Sequence, residues 1–220
     1  MARWKSGVPS RTELRDAKRD AVLREASASF NKRGFHGTSL DDVAQRLGVT
    51  KAALYYYFAN KQAVLKACFD LAMEVAFSNV DQAKSEGTTG RDKLRIVLAG
   101  FLEYIIDEQS VNITMMEEDA LSPEDMASIK TERTRFEHEI REFVREGVKD
   151  GSIIPCDPKL VVMALLGALN WVPRWFKPDG QWSRAELGAQ MIDLLERMIS
   201  ADPAEKLQTP KRTRASASKS

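Results

Sequence analysis

Cysteine, histidine and long apolar runs are all scarce in this chain, and each scarcity removes a class of protein. Cys68 and Cys156 stand 88 positions apart, and the only two histidines, His36 and His138, lie in unrelated segments. No CxxC pair and no metal-ligand spacing occurs, so neither a metal cluster nor a disulfide framework is expected, and reduced thiols are the default. The start of the chain, MARWKSGVPSR, lacks the apolar core of a signal peptide. The longest apolar run, Leu160 to Val172, is interrupted by Gly167 and Asn170 and is too short to cross a bilayer. There is no glycine-rich phosphate loop and no convergent nucleophile, base and stabiliser, so neither an enzyme nor a bound cofactor is expected. These absences predict a cytoplasmic, non-catalytic protein with no membrane partner.

What is present is an uneven distribution of charge. The formal net charge is only +1. Yet residues 1–61 hold twelve Lys and Arg against six Asp and Glu, and residues 62–200 hold sixteen against twenty-four. The last stretch, 201–220, is again basic, five against two. A basic head on an acidic body suits a protein whose head approaches phosphate while its body stays off the polyanion.

Residues 34–61, GFHGTSLDDVAQRLGVTKAALYYYFANK, carry the most information. Thr38 or Ser39 can cap a helix whose first turn holds Asp41 and Asp42, where the macrodipole favours negative charge. Leu40, Val43, Ala44 and Leu47 recur at amphipathic-helix spacing. Gly48 is placed to stop that helix in a left-handed conformation, and Val49 to plug the corner. Thr50 caps a second helix, expected over Lys51 to Phe58, with Leu54 and Phe58 inward and Lys51, Ala52, Tyr55 and Tyr57 outward. A short helix with small, hydroxyl and cationic side chains outward suits major-groove docking.

This segment resembles the DNA-binding domain of TetR/AcrR transcriptional regulators over about 13–66. The resemblance rests on Phe30, Gly34-Phe35, Thr38-Ser39, Val43-Ala44, Gly48-Val49-Thr50, Leu54-Tyr55, Tyr57-Phe58 and Lys61. It implies an all-α protein: a three-helix DNA-binding head with a helix-turn-helix, then a helical ligand-binding and dimerisation body, about nine helices in all. The expected divisions are a basic arm at 1–10, the head at 11–66, the body at 67–200 and a disordered basic tail at 201–220.

The rest of the pattern agrees. A first helix is expected from about Thr12 to Arg33, burying Leu14, Ala17, Ala21, Val22, Ala26 and Phe30. A fourth runs from about Lys61 to Lys84 and is broken by the GTTG at 87–90. A fifth spans Arg91 to about Asp107, and a short sixth about 111–120. Ser122-Pro123-Glu124-Asp125 and Asp157-Pro158 are helix starts, with a capping side chain followed by proline at the first helical position. The helix after Pro158 is apolar nearly all round and should be buried on more than one side. A last helix is expected over about Ser183 to Ser200.

Specific roles follow from side-chain chemistry and from the resemblance. Lys51 and Ala52 open the recognition helix and are expected to meet base edges, a guanine and a thymine methyl respectively. Tyr55, Tyr57 and Lys61 are expected at phosphates, as the resemblance implies, with Thr38 and Thr50 as phosphate contacts or simple caps. Tyr56 is expected to pack against the first helix. One head reads few base pairs, so a palindromic double-stranded operator and a homodimer are expected. The resemblance implies a four-helix dimer interface, for which Leu165, Leu169, Leu187, Met191, Leu195 and Met198 are the candidates, the alternative for each being the monomer's own core.

In the body, Asn170 to Gly180 is the distinctive patch, with Trp171 and Trp175 on one helical face and Arg174 beside them. It resembles the C-terminal domain of TetR/AcrR regulators of fatty-acid, aromatic-acid and steroid catabolism, several of which answer to acyl-coenzyme A thioesters. Phe101, Met115, Met116, Met163 and Leu166 are candidates for an apolar effector site, joined by Trp171, Arg174 and Trp175; packing is the equal alternative for the tryptophans. A second reading pairs an organic cation with Glu117, Glu118 and Asp119. A third, of another class, is a helical scaffold without specific DNA binding. Repression is the mode that the resemblance implies.

Overall fold

A computed structural model describes residues 10–107 and 120–201, and among these residues it contains eight helices and no strand. They are α1 Arg11–Arg33, α2 Leu40–Arg46, α3 Lys51–Tyr55, α4 Lys61–Glu86, α5 Gly90–Ile105, α6 Pro123–Asp150, α7 Pro158–Trp175 and α8 Arg184–Arg197. The helix expected near 111–120 lies outside the described residues apart from Ala120.

Local capping chemistry sets most of the boundaries. Ser10, Thr89 and Ser183 form reciprocal capping boxes with Glu13, Asp92 and Glu186. Ser122 and Asp157 cap helices that open on proline. Gly151 closes α6 at φ 81°, where a side chain would strain the backbone. Past α8, Ile153 and Ser200 form one isolated antiparallel bridge, and the Ile154 amide donates to the Ile199 carbonyl at 2.9 Å.

Two apolar cores share α4. The first gathers Leu23, Ala26 and Phe30 of α1, Leu40 and Val43 of α2, Leu54, and Leu65 and Phe69 of α4. The second begins at Met73 and runs through α5 to α8, with Leu98, Phe143, Leu165 and Leu169 fully buried. The change of core therefore falls within α4, between Phe69 and Met73. The first core also takes in Ala120, Leu121 and Ile129 from the body's side of the sequence. Arg133, one turn beyond Ile129, stacks its guanidinium over the Phe69 ring at 5.4 Å. The start of α6 is thus part of the head's packing.

Some packing expectations fail. The helical periodicity places Leu14 and Ala17 inside, but every residue from Arg11 to Arg19 is exposed, because α1 outruns the helices it packs on. Only one side of α7 is buried: Val162, Leu165, Leu169 and Val172. Val49 is exposed rather than plugging the corner.

The start of α5 packs closely on α6. Gly90, at the first position of α5, lies so close to α6 that a Cβ there would collide with the Gly147 amide and the Phe143 carbonyl. Backbone on both sides cannot give way as a flexible side chain would. Gly90→Ala is expected to destabilise the protein by about 2–3 kcal/mol, read as a lowered midpoint in urea. A change under half of the lower figure would mean that the two helices can separate at little cost.

Candidate DNA interface and the outer faces of the body

Ser39, not Thr38, caps α2, its hydroxyl accepting from the Asp42 amide at 3.1 Å. Gly48 then turns the chain at φ 64°, and Thr50 caps α3 by accepting from the Ala53 amide at 3.2 Å. α3 ends at Tyr55, earlier than the expected Phe58, but Phe58 still turns into the head's core beside Leu54. Lys51, Ala52, Tyr55 and Thr50 are exposed together on the outer side of this corner.

The neighbouring tyrosines exchange their expected places. Tyr56 is 76% exposed, whereas Tyr57 packs against the head's core. The two rings meet edge to face at 5.1 Å. Tyr56, with Tyr55, is the hydroxyl presented to solvent, and Tyr57 is its support.

Two further candidates are engaged inside the head. The Thr38 hydroxyl is buried and shares its one proton between the Ser29 and Gly34 carbonyls, at 3.1 and 2.9 Å. It has no free edge for a phosphate. The Lys61 ammonium donates to the Phe35 and Thr38 carbonyls, at 2.8 and 2.9 Å, and sits 4.2 Å from the centre of the Phe35 ring. Lys61 therefore fastens the loop before α2 onto the start of α4. The fold has its own use for this lysine, apart from any phosphate.

Lys51 is held from the side by a residue to which the sequence assigns only a place in the first turn of α2. Its ammonium lies 2.9 Å from the Asp41 carboxylate and 5.6 Å from the centre of the Tyr55 ring. The hydrogen bond to Asp41 raises the lysine above its ordinary range, so it stays cationic. Next to it, the Ser39 hydroxyl holds the Asp42 carboxyl below its usual range, helped by Arg33 at 3.2 Å. Both carboxylates stand at the amino end of α2, where helix amides favour them. Asp41 and Lys51 are ten residues apart across a turn, a spacing that gives no periodic signal. Between α1 and α4, Cys68 is buried and its thiol is pushed up to about 12 by desolvation; Ser27 donates to its sulfur at 3.5 Å.

Residues 22–68, which hold this head, match the family model for bacterial regulatory proteins of the tetR family. Residues 87–199 match that for the tetracyclin repressor-like C-terminal domain. The chain belongs to the TetR family. The TetR regulator PfmR of Thermus thermophilus has 33% identical residues and a TM-score of 0.70, over 80% of this chain and 97% of that one. AibR, solved in complex with isovaleryl coenzyme A and operator DNA, has 26% identity and a TM-score of 0.71, over 84% of this chain and 98% of that one. The transcriptional repressor KstR2 of Mycolicibacterium smegmatis is 24% identical over 86% of this chain and 94% of its own. The chain is thus a transcriptional regulator of the TetR class and not an enzyme, which displaces the scaffold reading. No helix among the described residues is long and apolar enough to cross a membrane.

The TetR body divides the remaining candidates differently from the sequence reading. Leu165, Leu169, Leu187 and Leu195 are buried in the monomer's own core, so they are not available to a partner. Met191 is half-buried and Met198 is 55% exposed. The bare large apolar residues of the last two helices are Leu160, Met163, Trp171 and Trp175 on α7, with Leu194 and Met198 at the end of α8; Ile154 before α7 is exposed as well. Both helices rest on α5. Leu160 and Leu194 escape a sequence reading because an apolar residue on an apolar helix looks alike whether it faces a core or a partner.

Of the effector candidates, Met163, Trp171, Arg174 and Trp175 lie exposed along α7 and do not converge on Phe101. Trp175 instead meets Trp182 edge to face at 6.2 Å. Leu166 and Phe101 pack against the body's core. Phe101 stands 6.1 Å from Phe136, which is itself 6.1 Å from Phe77, an aromatic column across α5, α6 and α4. Three buried polar atoms of the body, Asn79 Nδ2, Arg141 Nε and Asn170 Oδ1, have no hydrogen-bond partner among the described residues. Met115 and Met116, with Glu117 to Asp119, lie outside the described residues.

Proposed function

We propose that this TetR regulator is a homodimeric repressor that leaves a palindromic operator when the apolar acyl chain of an acyl-coenzyme A thioester enters its body. The observation that carries the reading is the likeness, over nearly the whole of that chain, to AibR bound to isovaleryl coenzyme A and operator DNA. Lys51, Ala52, Tyr55 and Tyr56 are the proposed operator-facing residues, with Thr50 capping them. Lys61 and Tyr57 hold the corner in shape. The proposed domain division keeps 11–66 as the head and 67–200 as the body, with α4 common to both.

The acyl chain is assigned to the aromatic column of Phe101, Phe136 and Phe77, which would have to part to admit it. Aromatic faces suit an acyl chain, and Asn79 and Arg141 carry the unpaired buried donors that a thioester oxygen would satisfy. The bare faces of α7 and α8 are assigned to the second subunit. Coupling runs through α6, whose start packs inside the head's core while its middle carries Phe136. A shift of α6 that admits a ligand must therefore move the head, and only one spacing of two heads fits successive major grooves.

The test is fluorescence anisotropy on a duplex selected from random DNA, with and without thioesters of graded chain length. One thioester is expected to weaken operator binding by roughly 10–100-fold, a coupling of about 1.4–2.7 kcal/mol, and free coenzyme A to leave it unchanged. Operator binding indifferent to the whole series would sink the thioester assignment and keep the regulator.

A further inference from the structure

The corner proposed to meet DNA carries a carboxylate that the fold does not need. Asp41 and Lys51 face solvent with side chains 59% and 61% exposed, their Oδ2 and Nζ atoms 2.9 Å apart. An ion pair this exposed adds little to the stability of a fold. Nor does Asp41 cap α2, since the Ser39 hydroxyl does. A negative charge on a face turned to phosphate weakens binding to every sequence alike, because it repels the polyanion. What a carboxylate can add on such a face is choice among sequences.

The pair is also held in one place. Lysine ends a flexible stem that would otherwise reach any nearby phosphate. Here the Lys51 ammonium donates to Asp41 Oδ2 and lies 5.6 Å from the centre of the Tyr55 ring. Among the described residues, only one of its three protons is engaged in a hydrogen bond, and Oδ1 of Asp41 accepts none. The corner thus presents two donor protons directly beside a free acceptor. One base pair offers the complement. In a G·C pair guanine shows the acceptors O6 and N7 in the major groove. The cytosine N4 amino group, about 2.9 Å from O6, turns its second proton into the same groove.

We propose that Asp41 and Lys51 together read a single G·C base pair in each half-site, the ammonium taking guanine O6 and N7 and the carboxylate the free cytosine N4 proton. The inference rests on the DNA-binding reading of the head and adds a second reading residue and a direction to it. Side-chain chemistry then ranks the four base pairs. With thymine in guanine's place, O4 still accepts and adenine N6 still donates to Asp41, but a methyl group crowds the ammonium where N7 had been. With cytosine or adenine in guanine's place, an amino group faces the ammonium and an oxygen faces the carboxylate, like on like. Lys51 alone would have little sense of direction, because its stem can swing to whichever acceptor is near.

The experiment is a base-by-base substitution scan of a duplex selected from random DNA by the full-length protein. Each position is changed symmetrically in both half-sites, and binding is read by anisotropy. Wild type is expected to show a G·C position where either like-on-like pair weakens binding by roughly thirtyfold or more, and the thymine–adenine pair by less. Asp41→Ala should compress that position alone to about fivefold or below, and should tighten binding to scrambled DNA. Lys51→Ala should lose the same position, and the double variant should lose little further preference there. The urea midpoint of Asp41→Ala should stay near wild type, since the pair is exposed. A variant that keeps the wild-type profile, or flattens a different position from Lys51→Ala, overturns the proposal. So does one that loses every position together with its urea midpoint, which would assign Asp41 to the fold. Failure of the underlying reading looks different: wild type would then bind selected and scrambled duplexes alike.

Discussion

Trp171→Glu is expected to turn a dimer into a monomer and to lower operator affinity by about 100-fold or more. Trp171 is 64% exposed in the single chain, in company with Leu160 at 70% and Leu194 at 57%. A soluble protein rarely leaves a set of large apolar side chains bare unless another surface covers them. Tryptophan at the centre of such a surface is the residue type whose loss costs most, about 2 kcal/mol or more on truncation, and a buried carboxylate costs more still. A lone head holds too few base pairs to bind tightly, so loss of the dimer becomes loss of the operator. Sedimentation velocity reads the first effect and anisotropy the second. The thermal midpoint of the monomer fold should hardly move, because Trp171 makes few contacts within its own chain. A variant that still sediments as a dimer would place the subunit contact elsewhere.

The second large effect is expected at Glu196. This α8 carboxylate is nearly buried, with Arg91 Nε at 3.4 Å and Arg95 Nη1 at 3.3 Å. Arg91 also donates to the Ser200 hydroxyl at 3.1 Å, and its amide donates to the Ser152 hydroxyl at 3.2 Å. One residue thus ties the end of α8 to the start of α5 and to the turn after α6. Removing one partner of a fully buried pair costs about 3–5 kcal/mol. Arg91 and Arg95 keep some water, so Glu196→Ala should cost about 2–3 kcal/mol, a drop of roughly 5–10 °C in Tm for a chain of this size. Adding Arg91→Ala to that variant should cost less than it does in wild type, since the ion pair would already be broken and chiefly the hydrogen bond to Ser200, about 1 kcal/mol, would remain to lose. A Tm within about 1 °C of wild type would show that the network adds nothing to stability.

Features set by local chemistry were legible in the sequence. Ser122-Pro123, Asp157-Pro158, Gly48 and Thr50 each act on backbone groups within a few residues, and each sits where the sequence predicts. Features set by distant partners were not. Val162, Leu165, Leu169 and Val172 form one stripe of α7, and Leu160, Met163 and Trp171 form another. Both are apolar at helical spacing, so only the position of α5 and α6 shows which stripe is already covered. Lys61 reads as a surface cation until the Phe35 and Thr38 carbonyls are seen above it, more than twenty residues earlier in the chain. The places of Tyr56 and Tyr57, by contrast, follow from local spacing: Tyr57 stands three residues past Leu54, on its side of the turn, and Tyr56 faces away, the i→i−4 bond from the Phe58 amide to the Leu54 carbonyl carrying the turn through. Leu14 looks buried because it shares the periodicity of the residues that follow, although no helix reaches back to cover it.

The unequal burial of the two thiols gives the head a clock of its own. Cys68 is sealed in the core of the head, and Cys156 lies partly open on the body. A thiol-specific reagent under native conditions should mark Cys156 quickly and reach Cys68 only when the head itself comes apart. The rate of the slow reaction thus measures how often the head opens, with no label attached to the DNA and no need to unfold the body. Recorded with and without effector, that rate separates a ligand that loosens the head from one that moves it as a rigid piece.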